Sequence, residues 1–243
     1  MAAPPISLLT PKHNQILAAL PAADYKRLLS ALEFMELPLG HVIYEPDMVM
    51  THAYFPVSGI VSMLYVMKSG ASAEIAITGN EGMIGVSLFM GGESTTSRTV
   101  AQNAGASYRI KASILRREFA LGGPLQHLLL RYTQALMTQM TQTAACNRHH
   151  TLDQQLCRWL LLSLDRLSGD ALTMTQRLIA NMLGVTLEGV IVALDKLQAD
   201  GLIHHSDGII QVVDRPALEC RVCECYRVVK REFSRLLPYK LVA

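Results

Sequence analysis

The sequence predicts an α+β protein, and three patterns indicate it. Short runs of β-branched and aromatic residues alternate with glycines in residues 1–120, which is typical of a β-sandwich or β-barrel. From Leu125 to Ser168 the chain has neither glycine nor proline and repeats apolar residues at helical spacing. Two short helical patterns then precede two strand-like runs, so the last part of the chain combines both element types.

The composition is that of a globular protein with a sizeable core. Half of the 243 residues are hydrophobic, and the net charge of +2 is only a weak indication of a nucleic-acid partner. From His150 onward, 11 Lys plus Arg balance 11 Asp plus Glu, so contacts to DNA must come from locally clustered charge. Without a signal sequence, an apolar run of about 18 residues or an even cysteine framework, we expect a cytoplasmic protein without a membrane partner.

The N-terminal region is expected to form a β-rich domain behind a short helix. The helix starts at Pro21 and carries apolar residues on one face. Glycine-containing turns separate the strands, which are predicted at Val42–Tyr44, Ala53–Phe55, Ile60–Val66 and Ala73–Ile77.

A long helix is predicted from Leu125 to near His149. Its apolar stripe consists of Leu125, Leu128, Leu129, Tyr132, Leu136, Met140 and Thr143. A continuous seam between two domains predicts a two-helix dimer interface, and the alternative is that the stripe packs on its own domain. A second apolar helix begins near Leu152 and ends at Ser168-Gly169-Asp170.

The segment Thr173–Leu194 has the pattern of a helix-turn-helix. Threonine hydroxyls can cap both helices, and Gly184 can end the first helix in the left-handed conformation. The hairpin signal Ser206-Asp207-Gly208 between two apolar runs then predicts a wing. A winged helix indicates DNA binding, and the alternative is a helical hairpin without that role.

These residues resemble the cyclic-AMP receptor protein and fumarate–nitrate regulator family, Crp/Fnr. The resemblance rests on Thr175–Leu194 with its wing and on Gly40–Tyr44, Tyr54–Gly59 and Glu81–Gly85, and it covers roughly residues 15–237. It implies a double-stranded β-helix (jelly-roll-like) sensor domain over 15–121, a dimerisation helix over 122–150 and a winged-helix DNA-binding domain over 151–243. It also implies a homodimer on double-stranded DNA and a small-molecule effector.

The effector site of that family corresponds to Asn80–Leu88 and Ser97–Thr99. Members that bind cyclic nucleotides hold the ribose hydroxyl with a Glu that follows a Gly, but here Val86 follows Gly85. A buried hydroxyl without its partner costs about 1–3 kcal/mol, so we expect an unidentified effector rather than cyclic AMP in the usual mode. The candidate contacts are Gly82, Gly85, Val86, Arg98, Thr99, Thr138 and Thr141.

The second helix of the helix-turn-helix also departs from the family. Members that read a G-rich half-site have Arg early in this helix and again a turn and a half later, where this chain has Leu187 and Val192. We therefore expect a different DNA site, with more weight on phosphate contacts and DNA shape. The candidate DNA contacts are Thr175, Gln176, Thr186, Leu187, Glu188, Gly189 and Val192.

The cysteines do not predict a cofactor or a metal. Iron–sulfur members of the family use cysteines near the N-terminus, and this chain has none before Cys146. One further helix is predicted after Pro216, which would put Cys220 and Cys223 on one face and Cys225 well round from them. Three thiolates without a fourth ligand make a poor zinc site, so we expect reduced thiols, with metal or redox sensing as the alternative.

The sequence thus predicts a dimeric, effector-responsive, DNA-binding transcription regulator. The alternative is a ligand-binding or protein-interaction module with a degenerate DNA reader. An enzyme is not expected, because the chain has no nucleophile elbow, phosphate loop or paired metal-ligand motif.

Overall fold

The N-terminal half folds around one antiparallel sheet in the computed structural model, which describes residues 8–237. Residues 1–7 of the segment inspected for a signal sequence, and residues 238–243 of the expected winged-helix domain, lie outside the described residues. The strand order is β1-β5-β3-β4, and β2 also pairs with β5. The strands are β1 (Glu33–Leu37), β2 (Val42–Tyr44), β3 (His52–Val66), β4 (Ser72–Thr78) and β5 (Arg98–Lys111). We refer to this part as the β domain.

The predicted strands Ala53–Phe55 and Ile60–Val66 are two parts of the single strand β3. Gly59 has φ +76° and lies where the pairing of β3 with β5 shifts register, so it forms a bulge and does not end the strand. The backbones of β3 and β5 approach closely at this point. A Cβ added at Gly105 would lie only 2.3 Å from the carbonyl oxygen of Ser58. The bulge lets one long strand bend around the core of the β domain.

Short helices flank the sheet and lead into a long one. The predicted N-terminal helix is confirmed, with Pro21 immediately before its first residue. After β5 the chain forms a helix that ends near two glycines with positive φ, Gly122 and Gly123, and the long helix follows. These helices are α1 (Gln15–Ala18), α2 (Ala22–Leu29), α3 (Ala112–Ala120) and α4 (Pro124–His149).

The apolar stripe of α4 packs on the β domain of its own chain. Leu129, Tyr132 and Leu136 are buried in the core of that domain, and the side-chain amide of Gln139 bonds both the N–H and the carbonyl of Ile77, each at 3.1 Å. The prediction that this stripe forms the dimer seam is therefore wrong. The stripe is buried because the sheet offers it an apolar face within the same chain.

The C-terminal part is a winged helix. Its elements are α5 (Leu152–Leu164), β6 (Ala171–Thr173), α6 (Gln176–Leu183), α7 (Leu187–Ala199), β7 (Ile203–Ser206), β8 (Ile209–Val212), α8 (Arg215–Arg221) and α9 (Glu224–Leu236). Strands β6, β8 and β7 form a three-stranded sheet in that order, so Thr173 pairs with the wing and does not cap a helix. This order of elements confirms the predicted α+β class. We refer to this part as the winged-helix domain.

The single C-terminal helix predicted after Pro216 is wrong. The chain forms α8 and α9, and between them Val222 and Cys223 are extended, with ψ 151° and 164°. The break changes which cysteine side chains lie together.

The two domains share one hydrophobic core. Ile60, Leu64 and Ile77 of the sheet belong to the same buried cluster as Trp159 of α5 and Met182 of α6. The Ser72 hydroxyl of β4 donates to the carbonyl of Asn181 at 3.3 Å. The winged-helix domain therefore packs directly on the sheet.

Across residues 8–237, no single helix is long and apolar enough to cross a membrane. Helices α6 and α7 pass that test only as a pair, and they are bent by 110° at the turn between them.

Candidate DNA interface and effector site

Helices α6 and α7 are fixed by the caps that their sequence supplies. The Thr175 hydroxyl accepts from the N–H of Leu178 at 3.3 Å, and the Thr186 hydroxyl accepts from the N–H of Gly189 at 3.2 Å. Between them Gly184 adopts φ 68° and ψ 34°, which ends α6 sharply. The crossing angle of 110° is that of a helix-turn-helix.

Two of the candidate DNA contacts lie four residues apart on the outer face of α7, and a third caps the helix. Thr186, Glu188 and Val192 are exposed, and the Val192 side chain is 67% accessible. Gly189 instead faces α5, because a Cβ added there would lie 3.0 Å from Leu152 Cδ2. Leu187 is half-buried.

The wing and the start of α6 lie at the same end of the domain. Asp207 and Gly208 both have positive φ, 51° and 76°, which is the two-residue turn typical of a tight hairpin. Thr175 and Gln176 line a cavity of about 310 Å³ together with these wing residues. The structure thus brings the start of α6 to the wing.

The polar groups on α7 include two acids and one engaged cation. Asp195 lies 3.1 Å from His205 of the wing, and Lys196 pairs with Asp153 of α5. Sequence reasoning missed Arg177, an exposed cation on the first turn of α6, where phosphate groups bind favourably. Its position directly after the candidate contacts Thr175 and Gln176 could have identified it from the sequence.

Tyr132 of α4 fills the space beside Gly82. Its ring is fully buried, and a Cβ added at Gly82 would lie 2.3 Å from Tyr132 Cε2. The phenol oxygen lies 3.0 Å from the Thr78 hydroxyl and donates to the carbonyl of Met83 at 3.1 Å. Burial raises the pKa of this phenol, so Tyr132 stays a neutral donor.

The loop from Gly82 to Leu88 is packed tightly against the sheet. Gly85 has φ +102° and precedes a short 3-10 helix, Val86–Leu88. A Cβ added at Gly85 would lie 3.2 Å from Leu88 Cδ1. Val86 is half-buried and packs on the core of the β domain.

Arg98 and Thr99, expected to act together, have different surroundings. Thr99 is buried, whereas Arg98 pairs with Glu45 at 3.0 Å and lines a cavity of about 270 Å³ with Asn181 and Met182 of α6. Consecutive residues of a strand point to opposite faces, so the two side chains do not meet in one site.

Thr138 and Thr141 are not on the buried face of α4 that carries Tyr132. Their hydroxyls donate to helix carbonyls, that of Thr138 to Gln134 at 3.2 Å and that of Thr141 to Met137 at 3.1 Å. The structure therefore does not bring them to Gly82 within one chain.

The outward face of α4 carries a second stripe. Leu130 and Met137 are 49% and 58% accessible, which is high for side chains of their size. The stripe follows a heptad pattern of alternating four- and three-residue steps, and its exposed members are Leu130, Gln134, Met137, Thr141 and Ala144.

Two family models match the chain. The Cyclic nucleotide-binding domain model matches residues 34–120, and the Crp-like helix-turn-helix domain model matches residues 154–221. A comparison with curated proteins finds no significant match.

Solved structures share the fold. FixK2 from Bradyrhizobium japonicum aligns with a TM-score of 0.69 at 20% identity, over 79% of this chain and 98% of that one. A CRP-family transcriptional regulator from Thermus thermophilus gives 0.66 at 18% identity, over 77% and 95%. The c-di-GMP-responsive regulator CLP from Xanthomonas campestris gives 0.64 at 17% identity, over 80% and 100%.

The two family models fall on the two domains in chain order, and the structural relatives span both. The Thermus thermophilus relative is described as a transcriptional regulator and CLP as a global regulator. This chain therefore belongs to the Crp/Fnr family and is a DNA-binding transcription regulator with a cyclic-nucleotide-binding-like domain.

Proposed function

We propose that this regulator acts as a homodimer, reads DNA with the outer face of α7, and changes its DNA affinity when a small effector binds. One observation carries the DNA-reading part. Glu188 and Val192 are exposed on one face of α7, and the exposed Thr186 caps the start of that helix, in the same domain as a formed wing. A helix presented in this way enters the major groove with its N-terminal residues at the base edges.

The chemistry of these side chains suggests a particular mode of reading. Glu188 is an acceptor for the amino group of cytosine, and Val192 suits the methyl group of thymine. Thr175, Gln176 and Arg177 at the start of α6 supply contacts to phosphates. Leu187 and Gly189 are half-buried and contribute to the shape of the surface rather than to hydrogen bonds.

The outward stripe of α4 supports dimerisation through the helix at 122–150. Exposed Leu130 and Met137 leave apolar surface in water, and pairing with the same helix of a second copy buries it. The interface would be isologous, so each residue near the two-fold axis meets its own copy. Thr138 and Thr141 would then lie at this interface.

The effector is not expected to be cyclic AMP in the usual mode. Val86 offers no carboxylate, and the Tyr132 ring occupies the space beside Gly82. A cavity of about 430 Å³ lies instead between the turn after β4 and helices α5 and α9, and its walls include Asn80, Arg166 and Phe233. Its size is in the range of small-molecule sites, and a ligand there would contact both domains.

The DNA proposal is tested by selecting bound genomic fragments with the purified protein and measuring their affinity by electrophoretic shift. We expect Glu188→Gln to change the preferred base at one position of the half-site by about 5- to 100-fold. The control is Glu36→Gln, which removes an exposed acid from β1 and should leave the preference unchanged. If no fragment is retarded at low salt, with or without cell extract, the regulator does not bind specific DNA.

The effector proposal is tested by thermal unfolding with cyclic AMP, cyclic GMP, c-di-GMP and a small-molecule cell extract. c-di-GMP is included because CLP, which shares the fold, responds to it. We expect no stabilisation by cyclic AMP and stabilisation by the extract. Stabilisation by cyclic AMP at micromolar concentration would contradict the proposal.

A protein-interaction or ligand-binding module with a degenerate reader is the second candidate. It is favoured by the absence of arginine at Leu187 and Val192 and by the acids Glu188 and Asp195 on α7. Failure of the fragment selection, combined with stabilisation by cell extract, would support this candidate.

A further inference from the structure

Four side chains that can bind a metal meet where the long helix ends and α9 begins. Cys146 is in the last turn of α4, and His150 follows one turn later. Cys223 immediately precedes α9, and Cys225 is in its first turn. Their four ligand atoms all lie within 4.8 Å of one another; the three cysteines are buried and His150 is half-buried.

Two of the six ligand–ligand distances match the edges of a zinc tetrahedron, and the others are no longer than 4.8 Å. Cys146 Sγ lies 3.6 Å from Cys223 Sγ, and Cys225 Sγ lies 3.6 Å from His150 Nδ1. With zinc–sulfur bonds of about 2.3 Å and zinc–nitrogen bonds of about 2.0–2.1 Å, neighbouring ligands of a tetrahedral ion are about 3.6–3.8 Å apart. A group of donors this compact has room for one ion and not for a multi-iron cluster.

The second nitrogen of His150 is also placed as in a metal-bound histidine. His150 Nε2 lies 3.3 Å from Glu224 Oε2, while Nδ1 faces Cys225. A carboxylate that accepts from one ring nitrogen fixes the tautomer and leaves the other nitrogen as a ligand.

A buried cation lies within electrostatic reach of the cluster. Three thiolates and a neutral imidazole around a divalent ion leave one excess negative charge. Arg158 of α5 is only 4% accessible, and its charge acts on both Cys146 and Cys225. Its Nη1 donates to the Thr143 hydroxyl at 3.2 Å, and within residues 8–237 its Nε has no hydrogen-bond partner. Buried charges are normally compensated. The charge of Arg158 also acts on the buried Glu74, and the excess charge of the occupied cluster would add a second counter-charge.

A disulfide explains fewer of these observations. Cys146 and Cys223 are close enough to be joined after a small movement, but a bond between them gives no reason for Cys225, His150 and Glu224 to converge on the same point. All four donors have a role only when they surround one ion.

We propose that Cys146, His150, Cys223 and Cys225 form a four-coordinate structural zinc site. All four positions are taken by protein ligands, as in sites that hold a fold and do no chemistry. The ion would fasten the start of α9 to the end of α4, next to Thr151, where the chain enters the winged-helix domain. Zinc would thus set how that domain is held relative to the long helix.

The full chain, stripped of metal by a chelator under reducing conditions, should bind one Zn²⁺ in competition with a chromophoric chelator. Co²⁺ should give thiolate-to-cobalt charge-transfer absorption with tetrahedral character. Zn²⁺ should raise the unfolding temperature. Cys223→Ser should weaken Zn²⁺ binding by at least about 100-fold, because it removes a ligand. Glu224→Gln should weaken it by about 10-fold, because the exposed Glu224 is not a ligand but accepts from His150. Cys220→Ser is the matched control, because Cys220 is exposed and outside the cluster.

Circular dichroism of each metal-free variant separates loss of the site from failure to fold, and Glu224→Gln provides the test if Cys223→Ser does not fold. Three results would overturn the proposal. They are absence of Zn²⁺ uptake by the reduced protein, equal loss of affinity in Cys220→Ser and Cys223→Ser, and a Cys146–Cys223 disulfide in protein that takes up no Zn²⁺ after reduction.

Discussion

The ring of Tyr132 lies where a side chain at position 82 would have to be, with Cε2 only 2.3 Å from the Cβ that an alanine would add at Gly82. Because Gly82 has no side chain, α4 can approach the β domain closely at Tyr132. The contact links the loop expected to bind effector to the helix expected to mediate dimerisation.

Gly82→Ala should lower the free energy of unfolding by about 1–3 kcal/mol, because the added methyl group overlaps the aromatic ring. Gly92→Ala is the control, since its Cβ would meet its nearest neighbour at an ordinary 3.4 Å. In a Tyr132→Leu background the cost of Gly82→Ala should shrink, as measured by denaturant unfolding of the double-mutant cycle. Equal costs in both backgrounds would show that the overlap is not the cause.

Glu74 of β4 should make stability depend on pH. Its carboxylate is buried at the junction of the two domains, and Ser62 Oγ lies 2.6 Å from Glu74 Oε2 and 2.6 Å from Gln102 Oε1. Desolvation raises the pKa of Glu74 to about 7, against the opposing effects of the Ser62 hydroxyl, Arg158 and Arg166. The folded protein therefore holds a proton that the unfolded chain releases near its ordinary pKa of 4.5.

Because the folded state binds more protons in this window, this contribution to stability falls as pH rises from about 4.5 to about 7 and is constant above it. The loss is on the order of 3 kcal/mol. Glu74→Gln should remove this slope when urea unfolding is measured at pH 5 and pH 8. The exposed Glu36→Gln should retain it, and the same slope in Glu74→Gln and wild type would refute the assignment.

Met137→Glu should convert the proposed dimer into a monomer. On a two-fold seam the two introduced carboxylates would face each other, and dimer affinity should fall by about 100-fold or more. Met67→Glu is a close control, because Met67 is 57% accessible and Met137 is 58% accessible. Sedimentation equilibrium distinguishes the outcomes, and a Met137→Glu protein that remains dimeric would place the interface elsewhere.

Val192→Arg should increase DNA affinity. The side chain is exposed on α7, and a cation there adds one contact to phosphate or guanine. The slope of log affinity against log salt should steepen by about 1 if the contact is to phosphate. Val49→Arg adds the same charge to the β domain at 62% accessibility and should have a smaller effect. Equal gains from the two variants would mean that net charge alone is responsible.

The helix-turn-helix and the wing could be predicted from the sequence because local chemistry fixes them. Thr175, Gly184 and Thr186 cap or end helices through contacts within four residues, and Asp207-Gly208 suits its turn in any surroundings. These features can be predicted without knowing which helix or strand packs against them.

Features that depend on distant partners could not be predicted in this way. The periodicity of the stripe through Tyr132 predicts a buried face, but it does not say whether a sheet or a second helix covers that face. Nothing between Arg221 and Glu224 is a glycine or proline, so the break that brings Cys223 to Cys146 has no local signal. Cys146 and His150 lie one turn apart, but they indicate a metal site only together with Cys223, which is 77 positions from Cys146 in the chain.

Gly184 has consequences for how this protein tolerates mutation. It takes a left-handed conformation that disfavours other residues, and a Cβ there would also lie 3.2 Å from Ala73 Cβ on β4. One position thus satisfies a requirement of the DNA-reading motif and one of the sheet beneath it. A substitution at Gly184 therefore strains the turn and crowds β4 at the same time, so its cost to stability is set by both domains.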